Sequence, residues 1–258
     1  MTYTILLLII LSLCTTNCNG QDPLGNLCND QQTNNKTTIQ NINHLITELV
    51  SKASSSGYFT TTSGQGQDKI YGLAQCRGDV STDDCSGCLL DAAKEIGQRC
   101  PNQVDARIWY DYCFLRYSNK DFIGKLDTSY ALFYINVENV TVIDPEAFNR
   151  KLGNLIDEIR SEAVMEKSKG IGKGETKLTP LVTLYALAQC TRDLAVVDCA
   201  QCIAIAVGNF PNFCNNRKGC RAIYSNCYVR YELYPFFFPL DSSNNSSSVG
   251  NCVVKVYP

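Results

Sequence analysis

The chain has 258 residues, 15 of them cysteine, and a formal net charge of −2. That length allows two domains of ordinary size, and the near-balanced charge excludes the strongly basic face that a nucleic-acid binder needs. So many cysteines pose a choice between disulfide staples, zinc sites and redox sites.

Residues 1–20 hold an apolar run from Ile5 to Leu13, followed by a polar, small-residue stretch ending at Gly20. The run is too short to cross a bilayer and reads as a secretory signal peptide, although no Lys or Arg precedes it. No later segment is expected to span a membrane. "YPFFFPL", Tyr234 to Leu240, is apolar but short and contains two prolines. The expectation is a secreted, extracellular chain, and an oxidising compartment favours disulfides over free thiolates.

Ile42, Leu45, Ile46 and Leu49 recur at i, i+3, i+4, i+7 and predict a first helix. Lys69–Gln75 is rich in strand formers. It leads into "CRGDVSTDDCSGC", a C-x8-C-x2-C pattern from Cys76 to Cys88. Ser81 with Asp84 three residues on resembles a capping box and predicts a second helix, in which Cys85, Cys88, Leu89, Ala92 and Ile96 share one face. The acidic pair Asp83-Asp84 suits a helix start. Asp105–Tyr110, Cys113–Tyr117 and Tyr130–Val137 read as strands.

The set then returns. Shifting by 114 positions (76 to 190) lays Cys76, Cys85, Cys88, Cys100 and Cys113 on Cys190, Cys199, Cys202, Cys214 and Cys227. Arg107 falls on Arg221, and "YGLAQC" falls on "YALAQC". Upstream, Leu152, Leu155, Ile156 and Ile159 match the first helix at a shift of 110 (42 to 152), which implies a small insertion near Lys167–Thr176. The cap position becomes Ala195. Two tandem α+β units follow, residues 21–126 and 131–240, with a low-complexity, flexible tail at 241–258. Spacing places Cys85 and Cys88 on a core face, from which each reaches a different neighbour. Structural disulfides are the leading reading, with zinc and redox sites as rivals.

His44, the sole histidine, lies opposite the apolar stripe of its helix, so no Ser-His-Asp or Cys-His set can be assembled around a buried base. No catalytic residue, metal or cofactor is expected. The aromatics "WYDYCFLRY", Trp109 to Tyr117, are expected as core and cross-strand pairs more than as a sugar platform. Sequons stand at Asn35, Asn139, Asn244 and Asn245.

The doubled C-x8-C-x2-C behind a signal peptide resembles the plant cysteine-rich repeat secretory proteins, whose unit is the ginkbilobin-type, or stress-antifungal, domain. The resemblance covers nearly the whole mature chain. Receptor-like kinases and plasmodesmata-located proteins use the same tandem ahead of a membrane helix, and this chain is similar to the free secreted branch. The resemblance implies two disulfide-stapled units, each with two helices on a five-stranded antiparallel sheet. It implies the pairs Cys28–Cys100, Cys76–Cys85 and Cys88–Cys113 in unit one, and Cys190–Cys199 and Cys202–Cys227 in unit two. Unit two has no cysteine near Val137, taken as the match of Cys28.

The resemblance also implies a mannose site built from an Asn, an Arg and a Glu. Carried over, unit one supplies Asn29 and Arg107, with Ser118 at the Glu position. Unit two supplies Arg221 and Glu232, with Glu138 and Asn139 nearest the Asn. The implied function is non-enzymatic binding in the plant apoplast during defence or stress, to an extracellular glycan of mannose type. The alternatives are a protein-interaction module for receptor ectodomains bearing the same domain, and a direct antifungal protein.

Loss of Cys14 and Cys18 with the signal peptide leaves 13 cysteines (15 − 2). Unit one uses six and unit two has seven. The turn-prone "NNRKG" between Cys214 and Cys220 favours their pairing and leaves Cys252 as an exposed free thiol, open to a disulfide-linked homodimer or a small-thiol adduct. A Cys214–Cys252 pair is the rival.

Overall fold

The computed structural model describes residues 22–239 and the backbone of strand 252–257. The signal peptide expected at 1–20, with Cys14 and Cys18, and also Asn244, Asn245 and the side chain of Cys252, lie outside the described residues.

Unit one runs β1 (Gly25–Cys28), α1 (Lys36–Ser56), β2 (Tyr58–Ser63), β3 (Ile70–Cys76), α2 (Thr82–Arg99), β4 (Asp105–Trp109) and β5 (Cys113–Ser118). Its antiparallel sheet has the order β1-β4-β5-β3-β2. Helix α1 starts because the Asn35 side chain accepts from the Thr37 amide, and stops because Gly57 turns left-handed at φ 73°. Ser81 caps α2 by accepting from the Asp84 amide. Both helices lie on one face of the sheet. Ile42, Leu45 and Leu49 meet Leu89, Ile96, Ile108 and Leu115 in a dry core, each such side chain contributing about 2 kcal/mol by leaving water.

Unit two runs β6 (Ala131–Asn136), α3 (Pro145–Ala163), β7 (Ile171–Thr179), β8 (Val182–Cys190), α4 (Val196–Gly208), α5 (Phe210–Phe213), β9 (Cys220–Tyr224) and β10 (Cys227–Glu232). These strands repeat the five-strand order of unit one, with β6 in the place of β1. A sixth strand, β11 (Cys252–Tyr257), adds to the edge by pairing with β6, Cys252 opposite Asn136. The tail expected to be flexible throughout 241–258 therefore ends in a strand. The serine-rich composition that suggested mobility stops at Ser248, and "CVVKVY" is valine-rich, which suits a pleated edge.

The extra residues of unit two fall in the short 3-10 turn Glu166–Ser168 before β7 and in a bulge between Lys177 and Thr179. Ala195 offers no side-chain cap to α4. Val196–Phe213 is long and apolar enough, by length and composition, to cross a membrane. Here it breaks at Asn209, with Pro211 opening α5, and Cys199 and Cys202 bond it to β8 and β10.

Among the described residues six disulfides are present. Cys28–Cys100 ties β1 to the end of α2, Cys76–Cys85 closes the β3–α2 turn, and Cys88–Cys113 joins α2 to β5. Unit two has Cys190–Cys199 and Cys202–Cys227 at the same separations of 9 and 25, plus the short Cys214–Cys220 link. Away from the helices the two sheets bury a third cluster, Trp109 with Leu132 and Ile223, flanked by Leu27, Phe114 and Tyr228.

Candidate functional site on the face between the units

The strands turn their apolar residues to the helices and so turn Gln75, Arg107, Arg116, Gln189, Arg221 and Arg230 the other way, because side chains alternate along a strand. Those six are all buried. They meet across a pseudo-two-fold relation, in which the glutamine contacts and one contact of each of Arg107 and Arg221 are repeated one unit on.

The Gln75 amide donates to the Cys190 carbonyl at 2.8 Å, and the Gln189 amide donates to the Cys76 carbonyl at 3.0 Å. Each Gln oxygen accepts in return, from the Arg192 amide at 2.9 Å and the Gly78 amide at 3.0 Å. Arg107 Nη1 donates to Ser225 Oγ, and Arg221 Nη1 donates to Asp111 Oδ1, both at 2.5 Å. Trp109 Nε1 donates to the Tyr224 carbonyl at 3.1 Å. Two straps cross between the units. The Gly124 amide binds Asp193 at 2.8 Å and the Phe238 amide binds Asp79 at 2.7 Å. Each strap also lays a ring over the guanidinium of the strand before it, Phe122 on Arg116 at 4.1 Å and Phe236 on Arg230 at 4.2 Å. The described part of the apolar "YPFFFPL", residues 234–239, is thus one of these straps.

Charge is paired inside this face. Asp127 accepts from Arg107 at 2.7 Å and lies 3.0 Å from Arg116. Burial alone would raise the Asp127 pKa, but the Ser129 hydrogen bond and the two guanidiniums outweigh it and hold the carboxyl well below the ordinary range. Arg116 is pushed down by burial and by neighbouring Arg107. Glu232 is raised by burial, although Arg230 donates to it at 3.0 Å. A cleft of about 70 Å³ lies where the β4–β5 and β9–β10 hairpins cross, lined by Trp109, Tyr112, Phe114, Ile223 and Tyr228. It is well below the several-hundred-Å³ scale of small-molecule pockets.

The residues carried over for sugar binding are not gathered into one open site. In unit one, Asn29 is exposed and its Oδ1 accepts from the Gln31 amide at 2.8 Å, while the Arg107 guanidinium is directed at Ser225 and Asp127. Ser118 is buried and donates to Asp105 Oδ2 at 2.9 Å. In unit two, Arg221 is engaged with Asp111 and lies against the rings of Tyr134 and Tyr228, 5.6 and 5.9 Å from their centroids. Glu138 pairs with Lys218, and Asn139 accepts from Arg217 at 3.0 Å.

Strand register corrects one assignment. Arg107 faces Leu27 on β1 and Arg221 faces Tyr134 on β6, so Cys28 corresponds to Ile135 and Asn29 to Asn136. The Asn29 amide donates to the Asp105 carbonyl and the Asn136 amide to the Gly219 carbonyl, both at 3.0 Å. Asn136 Oδ1 accepts from the Glu138 amide at 2.9 Å, the same turn that Asn29 makes. Unit two therefore holds Asn136, Arg221 and Glu232 on one sheet face. The carboxylates are exchanged between strands. Unit one has Asp105 beside Ser118; unit two has Gly219 beside Glu232. A Cβ on Gly219 would stand 1.8 Å from Glu232 Oε2, so a side chain there displaces the Glu232 carboxylate.

His44 is exposed on α1. Among the described residues no cluster of three or more His, Cys, Asp or Glu side chains could hold a metal ion. Asn35, an expected glycan acceptor, is the cap of α1, and its amide donates to Asp68 at 2.8 Å.

The sequence profile of the salt stress response/antifungal family matches residues 27–120 and 136–234. Cysteine-rich repeat secretory protein 55 of Arabidopsis thaliana is 56% identical over 247 residues, covering 94% of this chain and 93% of the relative. The antimicrobial ginkbilobin-2-like protein of Castanea crenata is 43% identical over 232 residues, covering 89% and 94%. The tandem DUF26 ectodomain of the Arabidopsis thaliana cysteine-rich receptor-like protein PDLP8 superposes with a TM-score of 0.73 at 26% identity, covering 83% of this chain and 98% of the other.

Proposed function

The chain belongs to the salt stress response/antifungal family, and from that premise we propose that it is a secreted, non-enzymatic binding module acting in the plant apoplast in defence or stress responses. It presents both units as one rigid surface to a protein partner, such as a receptor ectodomain built from the same tandem, rather than holding free mannose. The observation that carries this reading is that Nη1 of Arg107 is already held by Asp127 and Ser225 and Nη1 of Arg221 by Asp111, while both Nε atoms are buried. A sugar would have to break a buried charge-assisted bond to recruit either, a cost of several kcal/mol. Secretion is supported by relatives named as secretory and as ectodomains, and a defence role by the relative named antimicrobial.

A second reading, mannose binding in unit two alone, has Asn136, Arg221 and Glu232 on one sheet face in its favour. Calorimetry of the oxidised protein with mannose, beside capture of a tandem ectodomain with and without the sugar, separates the two. Ectodomain capture indifferent to mannose is the expected result. Mannose binding that disappears in an Arg221→Ala protein that remains folded at the assay temperature would establish the second reading instead.

A further inference from the structure

Edge strands carry unpaired backbone groups, and proteins blunt them with charge, bulges or capping side chains. The two units treat the same edge in opposite ways. In unit two, β7 alternates Lys173, Glu175 and Lys177 along its outward-facing row, and it is bulged at Lys177. Glu162 accepts from the outward Lys173 amide at 3.0 Å, and Lys151 donates to the outward Lys177 carbonyl at 2.8 Å.

In unit one, β2 reads Tyr-Phe-Thr-Thr-Thr-Ser, with no charge, no proline and no bulge. The Cys76 amide donates to the Gly57 carbonyl, which makes Gly57–Cys76 a hydrogen-bonded pair, so Tyr58, Thr60 and Thr62 direct their amides and carbonyls outward. Ser56 Oγ bonds both outward groups of Tyr58. Among the described residues nothing partners those of Thr60 and Thr62. The residue at the helical position of Glu162 is Lys52, and that of Lys151 is Asn41, which instead donates to the Asp68 carbonyl. The sheet's other edge, β1, is packed against unit two, with Gly25 on Leu132 and Leu24 accepting from Tyr134.

The geometry points to β2 as a self-pairing edge, joining antiparallel to β2 of a second copy of this chain and making one continuous ten-stranded sheet. An uncharged strand meets its own copy without opposing like charges, and threonine–threonine cross-strand pairs are favourable. A two-fold pair also closes, using up both open edges. The Tyr58 end of each strand then lies by the Ser63 end of the other. Arg192 stands at the first end, 5.9 Å from the Tyr58 ring and with its Nε unpartnered. The loop at the second carries Asp68 beside Lys69, and Asp193 follows Arg192 at the first, so neither end sets a net like charge against its copy.

Two six-residue strands bury a small interface, and a dissociation constant on the order of 10 µM is expected. The test is sedimentation velocity of the full secreted chain in a Cys252→Ser background, which removes covalent pairing through that thiol, from about 1 to about 100 µM around that constant. A reversible dimer should form, and Thr60→Lys with Thr62→Lys should weaken it about tenfold or more at an unchanged melting temperature. In the protein without those lysines, exchange of the Thr60 and Thr62 amides should slow as concentration rises. A chain monomeric throughout overturns self-pairing and leaves the edge to a strand of another protein. A dimer indifferent to the two lysines, or one that leaves those amides unprotected, overturns it as well.

Discussion

Gln75 and Gln189 hold each other's strand ends, each amide donating to the last carbonyl of the other unit's equivalent strand, β8 or β3, while its oxygen accepts from the second residue past that strand. Gln75→Ala strands two buried backbone groups, the Cys190 carbonyl and the Arg192 amide, at about 1–3 kcal/mol. Gln75→Ala with Gln189→Ala should fall short of additive, because the first loss already loosens the face that the second bond crosses. Urea unfolding of both single variants and the double checks this, and strict additivity would mean that the two contacts are independent.

Arg107→Ala leaves the half-buried Asp127 with Arg116 and Ser129, and Arg221→Ala leaves Asp111 with Arg230 at 3.7 Å. Both carboxylates keep some contact with solvent, so loss of one partner costs about 1–3 kcal/mol, less than for a fully buried pair. Both substitutions should therefore lower the melting temperature whatever ligand is present. Full stability in either variant would return that arginine to the list of free ligand-binding groups.

Asp127 has its folded pKa depressed, so its contribution to stability is complete above the ordinary Asp value, about 4, and drains as pH falls below it. Glu232 works in the opposite sense: raised by burial, it favours the fold at low pH and loses that contribution as pH rises through its folded pKa. Asp127→Asn should flatten the acid side of the stability curve, and Glu232→Gln should leave that side steep. Urea midpoints measured from about pH 2 to about pH 7, across the carboxylate range, decide it.

The exchanged carboxylates give a rescue experiment. Gly219→Asp alone drives a Cβ into Glu232 and should cost about 1–3 kcal/mol or more. Adding Glu232→Ser copies the Asp105–Ser118 arrangement of unit one and should restore most of the loss. Thermal melts of the single and double variants suffice, and a double variant no better than Gly219→Asp would show that the two rows are not interchangeable.

Cys28–Cys100 closes a separation of 72 residues, worth about 4 kcal/mol in the chain-entropy view. Cys28→Ala should leave unit one poorly folded, and unit two, which shares its buried face, should soften with it. Secretion yield and near-ultraviolet dichroism report both effects.

Much of the fold was legible because cysteine spacing and helical stripes are local signals: Ile42, Leu45 and Leu49 face the core as their period requires, and Ser81 caps α2. What escaped depends on partners far away in sequence. Asn136 was hidden because Ile135 replaces the cysteine that marks Asn29 and because the β6–α3 connection is longer than β1–α1, so a shift taken from the helices pointed to Glu138 and Asn139. Arg107 and Arg221 were legible as special residues because they coincide in the repeat and because the family resemblance places its arginine there. Their partners Ser225, Asp127 and Asp111 sit in turns and the linker, and only the assembled pair of sheets brings them within reach. Nothing local marks "YPFFFPL" as a strap over Arg230 that ends on Asp79.

The reciprocal straps carry a historical implication. Contacts that repeat with the units exchanged, Gly124 to Asp193 and Phe238 to Asp79, have the symmetry of two identical molecules facing one another. A single-unit ancestor with this face would have existed as a homodimer, and duplication in tandem would have turned its intermolecular contacts into intramolecular ones. Once fused, the halves no longer had to remain alike. Ser225 could drift from Asp111, and Ile135 from Cys28, because the tether held the pair together while each copy changed.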